Sequence, residues 1–180
     1  MNKMPTLETR RLLLRPFKKS DANEVQKLAG DKDVAKTTLN IPYPYEDGVA
    51  ENWISSHKKN YKEGNSLTLA ITDKNSGYLI GAISLTINQR FNRAEMGYWI
   101  GKEYWNNGYC TEAGLKMTEF GFVNIELHKV YATHMKENPA SGKVMQKIGM
   151  KKEGILREHA IKWGEYKDLV QYGILKREFK

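Results

Sequence analysis

A chain of 180 residues, 40% hydrophobic and 28% charged, is long enough to bury one sizeable core. Its longest apolar runs are strand-length, which excludes a membrane-spanning helix, and its single cysteine, Cys110, excludes an internal disulfide framework. The net charge of +8 calls for an anionic partner, but the basic residues come as scattered pairs (Arg10–Arg11, Lys18–Lys19, Lys58–Lys59, Lys151–Lys152) with acidic residues between them. That is the pattern of solvated faces, so direct nucleic-acid binding is not expected. The opening stretch MNKMPTLETRRLLLR carries charge where a secretory leader is apolar, and with the lone thiol it predicts a cytoplasmic protein.

No repeat or low-complexity linker divides the chain, so one domain over residues 1–180 is expected. Arg11–Phe17 reads as a first strand. Ser20 is placed to cap a helix running to Ala29 and ended by Gly30. Thr38–Gly48, with Pro42, Pro44, Tyr43 and Tyr45, reads as a loop with aromatic walls, and Glu46 and Asp47 suit the start of the next helix. That helix is predicted from Asp47 to Tyr61 with Val49, Trp53 and Tyr61 on one stripe, ended by Gly64. Ser66–Thr72, Tyr78–Asn88 and Ala94–Ile100 then form an antiparallel meander. A helix over Thr111–Val123 carries Ala113, Met117 and Phe120 on one face. Lys129–Met135 is a strand, and Pro139 opens a helix ending at Ile148–Gly149. Two last strands, Gly154–Lys162 and Tyr166–Lys176, turn at Trp163–Gly164–Glu165. The order βα, α, βββ, α, β, α, ββ predicts an α/β (α+β) fold, a mixed sheet of about seven strands with helices on both faces.

The segment most informative about function is Arg93–Ala113, RAEMGYWIGKEYWNNGYCTEA. A short strand leads into an Asn- and Gly-rich loop and then into a helix start at Thr111 and Glu112. Unpaired N–H groups and the helix dipole there make an anion cradle, suited to phosphate or pyrophosphate.

This segment resembles the acetyl-CoA-binding motif of the GNAT N-acetyltransferases, and within them the RimJ/RimL-like ribosomal-protein-alanine acetyltransferases. ENPASGKVMQKIGMKKEGILRE (Glu137–Glu158), LETRRLLLRPFKKSDA and KDLVQYGILKREF resemble further parts of the same pattern. The resemblance implies a mostly antiparallel sheet with two splayed strands, one ending at Ile100 and one starting near Lys129. Coenzyme A would enter the gap, its pantetheine arm along the 96–101 edge at Trp99 and Ile100. A backbone N–H near Ile100 would polarise the thioester carbonyl. The pyrophosphate would rest on Asn106, Asn107, Gly108, Tyr109, Cys110 and Thr111. Gly108 matches the central glycine of the family loop, and Trp105 stands where the family has Gln or Arg. Asn138 is expected to reach the pantetheine, and Lys143 and Lys147 the phosphates.

Many GNAT enzymes protonate the leaving thiolate with a Tyr four residues after the position of Ser141. Here that residue is Met145, so the resemblance assigns the donor role to Ser141. Glu95 is the expected general base, acting through water, with Glu158, His134 and His159 as rivals. Cys110 is read as a small residue beside a phosphate rather than a nucleophile, and no histidine spacing suggests a metal. Tyr43, Tyr45, Trp53, Tyr104 and Trp163 are core or surface aromatics, or walls of the acceptor side.

The expected reaction is direct acetyl transfer from acetyl-CoA to a primary amine. The favoured acceptor is a protein N-terminal α-amine of ribosomal-protein type. A small amine (amino acid, polyamine, aminoglycoside) and a non-catalytic acyl-CoA sensor are the alternatives. A homodimer is left open, since the sequence names no self-complementary patch.

Overall fold

Leu67, Leu69 and Ile71 alternate along one strand with Thr68, Ala70 and Thr72, and all six are buried. Burial on both faces requires a sheet covered on both sides, with each Leu or Ile worth about 1.5–3 kcal/mol. The computed structural model describes residues 3–179; Met1, Asn2 and Lys180 of the expected 1–180 domain lie outside the described residues.

The elements are β1 (Leu7–Glu8), β2 (Leu12–Arg15), α1 (Ala22–Ala29), α2 (Lys32–Lys36), α3 (Val49–Lys62), β3 (Ser66–Asp73), β4 (Leu79–Asn88), β5 (Arg93–Ile100), α4 (Tyr109–Val123), β6 (Lys129–Met135), α5 (Pro139–Lys147), β7 (Lys151–Lys162) and β8 (Glu165–Leu175). They form one sheet in the order β1-β2-β3-β4-β5-β6-β8-β7. Every neighbouring pair is antiparallel except β5 and β6. Eight strands replace the seven expected; β1 is two residues long, too short to show a period. The five-residue α2, with only Val34 and Ala35 buried, escapes periodicity for the same reason.

Two clusters divide the core. Leu12, Leu14, Leu69, Ile83, Leu85, Ala94 and Met96 pack with Ala113, Met117 and Phe122 of α4 and Met145 of α5. Val25, Leu28, Ala50 and Ile54 of α1 and α3 cover the other face at Ala70 and Leu79. The buried stripe of α3 is Ala50, Ile54, His57 and Tyr61, so only Tyr61 of the predicted stripe lies in it. Val49 and Trp53 are turned toward a cavity instead. His57 packs between Trp53 and Phe17 with neither ring nitrogen partnered, and burial lowers its pKa to about 4. Ser20 caps nothing. It lies in a short 3-10 turn, and Asp21 precedes α1, its carboxylate held by Arg15 at 2.8 and 2.9 Å and by the Lys18 N–H at 2.7 Å.

Candidate active site

The single parallel contact defines the site. Strands β5 and β6 pair at only three positions, Arg93↔Lys129, Ala94↔Val130 and Glu95↔Tyr131. Beyond them Met96–Ile100 keep β4 as neighbour but have no strand partner on the β6 side. The gap opens into a cavity of about 880 Å³ that runs from the start of α4 to the loop before α3.

At one end α4 begins at Gly108 without a side-chain cap. The first N–H groups of this fifteen-residue helix therefore face the cavity beside Asn106, Gly108, Tyr109, Cys110 and Thr111. Gly108 sits at φ +76 and Asn106 at φ +63, left-handed conformations natural to these two residue types. Lys143 and Lys147 of α5 also line the cavity, and neither forms an ion pair among the described residues.

The N-terminal hairpin braces this loop from behind. Glu112 accepts from Thr9 Oγ1 at 2.7 Å, from the Arg11 N–H at 2.8 Å and from Arg11 Nε at 2.7 Å. Arg11 Nη1 donates to Asn107 O at 2.9 Å, and the guanidinium lies over the Tyr109 ring at 4.6 Å. Burial works to raise the Glu112 pKa, but these donors and the Arg11 charge outweigh it and hold the carboxyl below its ordinary value.

At mid-cavity two polar groups sit on opposite faces of β5. Glu95 shares a face with Thr86 and accepts from Thr133 Oγ1 at 3.0 Å. Tyr98, three residues on, faces α5, and its Oη lies 2.8 Å from Ser141 Oγ and 3.1 Å from Ser141 O. Burial pushes the Tyr98 phenol well above its usual value, so it remains a neutral O–H at this contact. The Ser141 N–H is capped by Asn138 Oδ1 at 3.3 Å, and Asn138 Nδ2 reaches across to Thr37 O at 3.2 Å.

At the far end Thr68, Ser84, Thr86, Trp53, Tyr45 and Ile41 line the cavity. Among the described lining residues Glu95 is the one carboxylate. A splayed strand pair, an uncapped helix start, and a carboxylate and a hydroxyl on opposite faces of the strand at the gap are parts an acyl-transfer site can use.

The acetyltransferase (GNAT) domain family matches residues 11–151. The chain belongs to the GNAT acetyltransferases. It is 32% identical over 178 residues to the uncharacterized N-acetyltransferase p20 of Bacillus licheniformis, covering 98% of this chain and 99% of that one. YdaF of Bacillus subtilis (strain 168), named for ribosomal N-acetylation, is 32% identical over 137 residues, 76% of this chain and 72% of YdaF. A GNAT-family acetyltransferase from Bacillus anthracis superposes with a TM-score of 0.85 at 27% identity, covering 97% of this chain and 100% of that one. The protein is therefore an acetyl-CoA-dependent N-acetyltransferase.

The GNAT cofactor fits what is present: an uncapped helix start for the pyrophosphate, two lysines without counter-charges, and an unpartnered strand edge that an extended arm can join. Of the cofactor residues expected from sequence, Trp99, Ile100, Asn106, Gly108, Tyr109, Cys110, Thr111, Asn138, Ser141, Lys143 and Lys147 line the cavity. Asn107 does not. Its Nδ2 donates to Tyr104 O at 3.2 Å and Trp105 O at 3.0 Å, which consumes the side chain within the loop. Burial pushes the half-buried Cys110 thiol far up, away from a nucleophilic thiolate.

Among the rival bases, His134 lines the cavity with Nδ1 2.8 Å from Met135 O. Glu158 and His159 are exposed and outside the lining. The β7–β8 register shifts between Leu156 and Ala160, and the Glu158 N–H is anchored on Asp168 Oδ1 at 3.0 Å, which carries both residues into a bulge. Sequence reading missed Tyr98, although alternation from Met96 gives its face. It also missed Arg11, and it placed Trp105 in the loop without a contact for its side chain, whose indole Nε1–H donates to Ile100 O at 2.7 Å. No helix of the described residues is long and apolar enough to cross a membrane.

Proposed function

We propose that this N-acetyltransferase acts on a protein N-terminal α-amine, with Glu95 as general base and Ser141 as proton donor. The observation that carries this reading is the placement of the two groups on opposite faces of β5 at the gap, Glu95 held by Thr133 and Ser141 by Tyr98. Acetyl-CoA supplies an activated acyl group, with its phosphates against residues 106–111, Lys143 and Lys147. Glu95, directly or through a water, takes a proton from the incoming ammonium. Ser141 Oγ gives a proton to the departing sulfur, and the neutral Tyr98 O–H orients that hydroxyl. Backbone N–H groups on the unpartnered edge near Ile100 polarise the acyl oxygen.

The acceptor follows from charge. An α-amine, with a reference pKa of about 7.7–8.0, needs far less help to lose its proton than a lysine at about 10.4. One carboxylate suffices for one ammonium, whereas a polyamine or aminoglycoside carries several cations that this lining does not match. Relatives are named both for ribosomal acetylation and for spermidine, so names do not choose between acceptors; the single carboxylate of the lining supports the α-amine reading. A ribosomal-protein N-terminus in the cytoplasm is the specific acceptor this reading favours.

The test is acetyl-CoA-dependent thiol release against Ala-, Ser- and acid-starting peptides, spermidine, single amino acids and an aminoglycoside, with mass spectrometry of products. A peptide acetylated at its N-terminus is expected. Turnover confined to spermidine or another small amine would reject the α-amine reading and keep the acetyltransferase.

A further inference from the structure

Lys162 is the last residue of β7, and the next two residues, Trp163 at φ +52 and Gly164 at φ +81, make the tight turn into β8. Its neighbours Ile161, Trp163 and Tyr166 are among the most exposed large side chains of the molecule, yet Lys162 is only 6% exposed. A lysine at a hairpin tip normally swings its ammonium into water. This one turns inward, where Nζ donates to Ile41 O at 2.8 Å and Leu39 O at 3.3 Å, and lies over the Trp163 ring at 5.0 Å.

The ammonium has no carboxylate partner among the described residues. Its cross-strand neighbour Glu165 is paired with Lys167 at 2.6 Å instead. A buried, uncompensated cation is costly, and burial lowers the Lys162 pKa accordingly. What it gains is the two loop carbonyls.

Those carbonyls belong to the loop between α2 and α3, of which Leu39, Asn40, Ile41 and Pro42 line the cavity. Between Leu39 and Pro44 the loop backbone makes hydrogen bonds to no other group of the described residues. Tyr43 packs its ring 6.1 Å from that of Trp163, so the hairpin tip meets the loop by an aromatic contact as well. Farther back Asn138 holds Thr37 O, and Gln26 Nε2 holds Tyr45 O at 3.2 Å. From Leu39 to Pro44 the backbone hydrogen bonds of the stretch between those anchors come from one side chain.

We propose that Lys162 is a positioning residue for the acceptor: its ammonium fixes residues 39–42 as the wall against which the amine substrate binds. The proposal rests on the reading that the acceptor enters on this side of the gap. It assigns Lys162 a share of amine affinity and none of acetyl-CoA affinity.

The test compares the full-length parent with K162M, K162Q and K162R. It measures steady-state kinetics with the best amine of the panel, acetyl-CoA binding by calorimetry, and amide hydrogen exchange over residues 37–46. In K162M the amine KM is expected to rise about tenfold, with kcat within about threefold and acetyl-CoA Kd within about twofold. Exchange over residues 39–45 should accelerate. K162R keeps the cation and is expected to restore both the KM and the protection; K162Q serves if K162M does not fold. An unchanged amine KM in a variant whose loop exchanges faster would overturn the proposal. So would an equal rise in acetyl-CoA Kd, or unchanged exchange. A parent that acetylates no amine would count against the acceptor reading, while the exchange data still judge the latch.

Discussion

The two loops that close the cavity are held by opposite electrostatic devices. The cofactor loop, residues 105–108, is backed by paired charges: Arg11 and Glu112 neutralise each other, and each also bonds backbone or side chains around the loop. The middle of the acceptor loop, residues 39–42, takes its backbone hydrogen bonds from a cation with no counter-charge, bonded only to neutral carbonyls. The first device is over-determined, with several bonds converging on one carboxylate. The second is sparse. On the proposed reading, a loop that meets the phosphates common to every turnover can be locked, whereas a wall that shapes the acceptor is tied at few points and is therefore easily retuned by substitution.

Variants can break this contrast in order of severity. Glu95→Gln removes the proposed base, and kcat/KM for the amine should fall about 100-fold while acetyl-CoA Kd stays within about twofold, measured by steady-state kinetics and calorimetry. Ser141→Ala acts on the opposite face. Turnover should fall about 50-fold with acetyl-CoA affinity nearly unchanged, and undiminished turnover would remove the proton-donor role. Gly108→Val forces a branched side chain into a left-handed conformation, costing about 2 kcal/mol, so acetyl-CoA Kd should rise about 30-fold with amine KM unmoved.

Glu112→Gln is gentler, because Arg11 is well exposed and its charge screened; about a fivefold loss of acetyl-CoA affinity is expected. The same carboxyl gives the mildest probe. Its native pKa is depressed, so the clamp contributes in full above the ordinary glutamate value of about 4.3 and fades as pH falls through the lower native one. Thermal unfolding of parent and Glu112→Gln should therefore differ at pH 6 and converge in acid. A gap that persists at low pH would mean the clamp works by shape rather than charge.

How much of this the sequence could reveal depends on the distance over which each feature is written. The β3–β5 meander, β6 and α5 were legible because period-two alternation, Pro139 and Gly149 are local signals. The anion cradle was legible for the same reason, since strand, loop and helix start lie within twenty-one residues of one another. The Tyr98–Ser141 contact joins positions 43 apart, and the Arg11–Glu112 clamp joins positions 101 apart. Neither has a periodicity to betray it. Trp53 was placed on one stripe with Val49 and Tyr61 because its spacing is helical, with a role in the wall of the acceptor side left open; the helix is rotated so that Ile54 and His57 are buried while Trp53 borders the cavity. His159 and Glu158 were rivals for the base until the bulge anchored on Asp168 removed them from the lining.

The three-pair contact between β5 and β6 has a consequence for the lifetime of the protein. A sheet interrupted at its centre is completed when an extended molecule docks on the free edge, so the folded state is favoured in proportion to how much of that molecule is present. At a hundredfold excess over Kd the gain is about 2.7 kcal/mol, enough to lower the unfolded fraction about a hundredfold. Abundance in the face of proteolysis would then follow the supply of acetyl-CoA, and a scarcity of acyl donor would thin the enzyme as well as starve it.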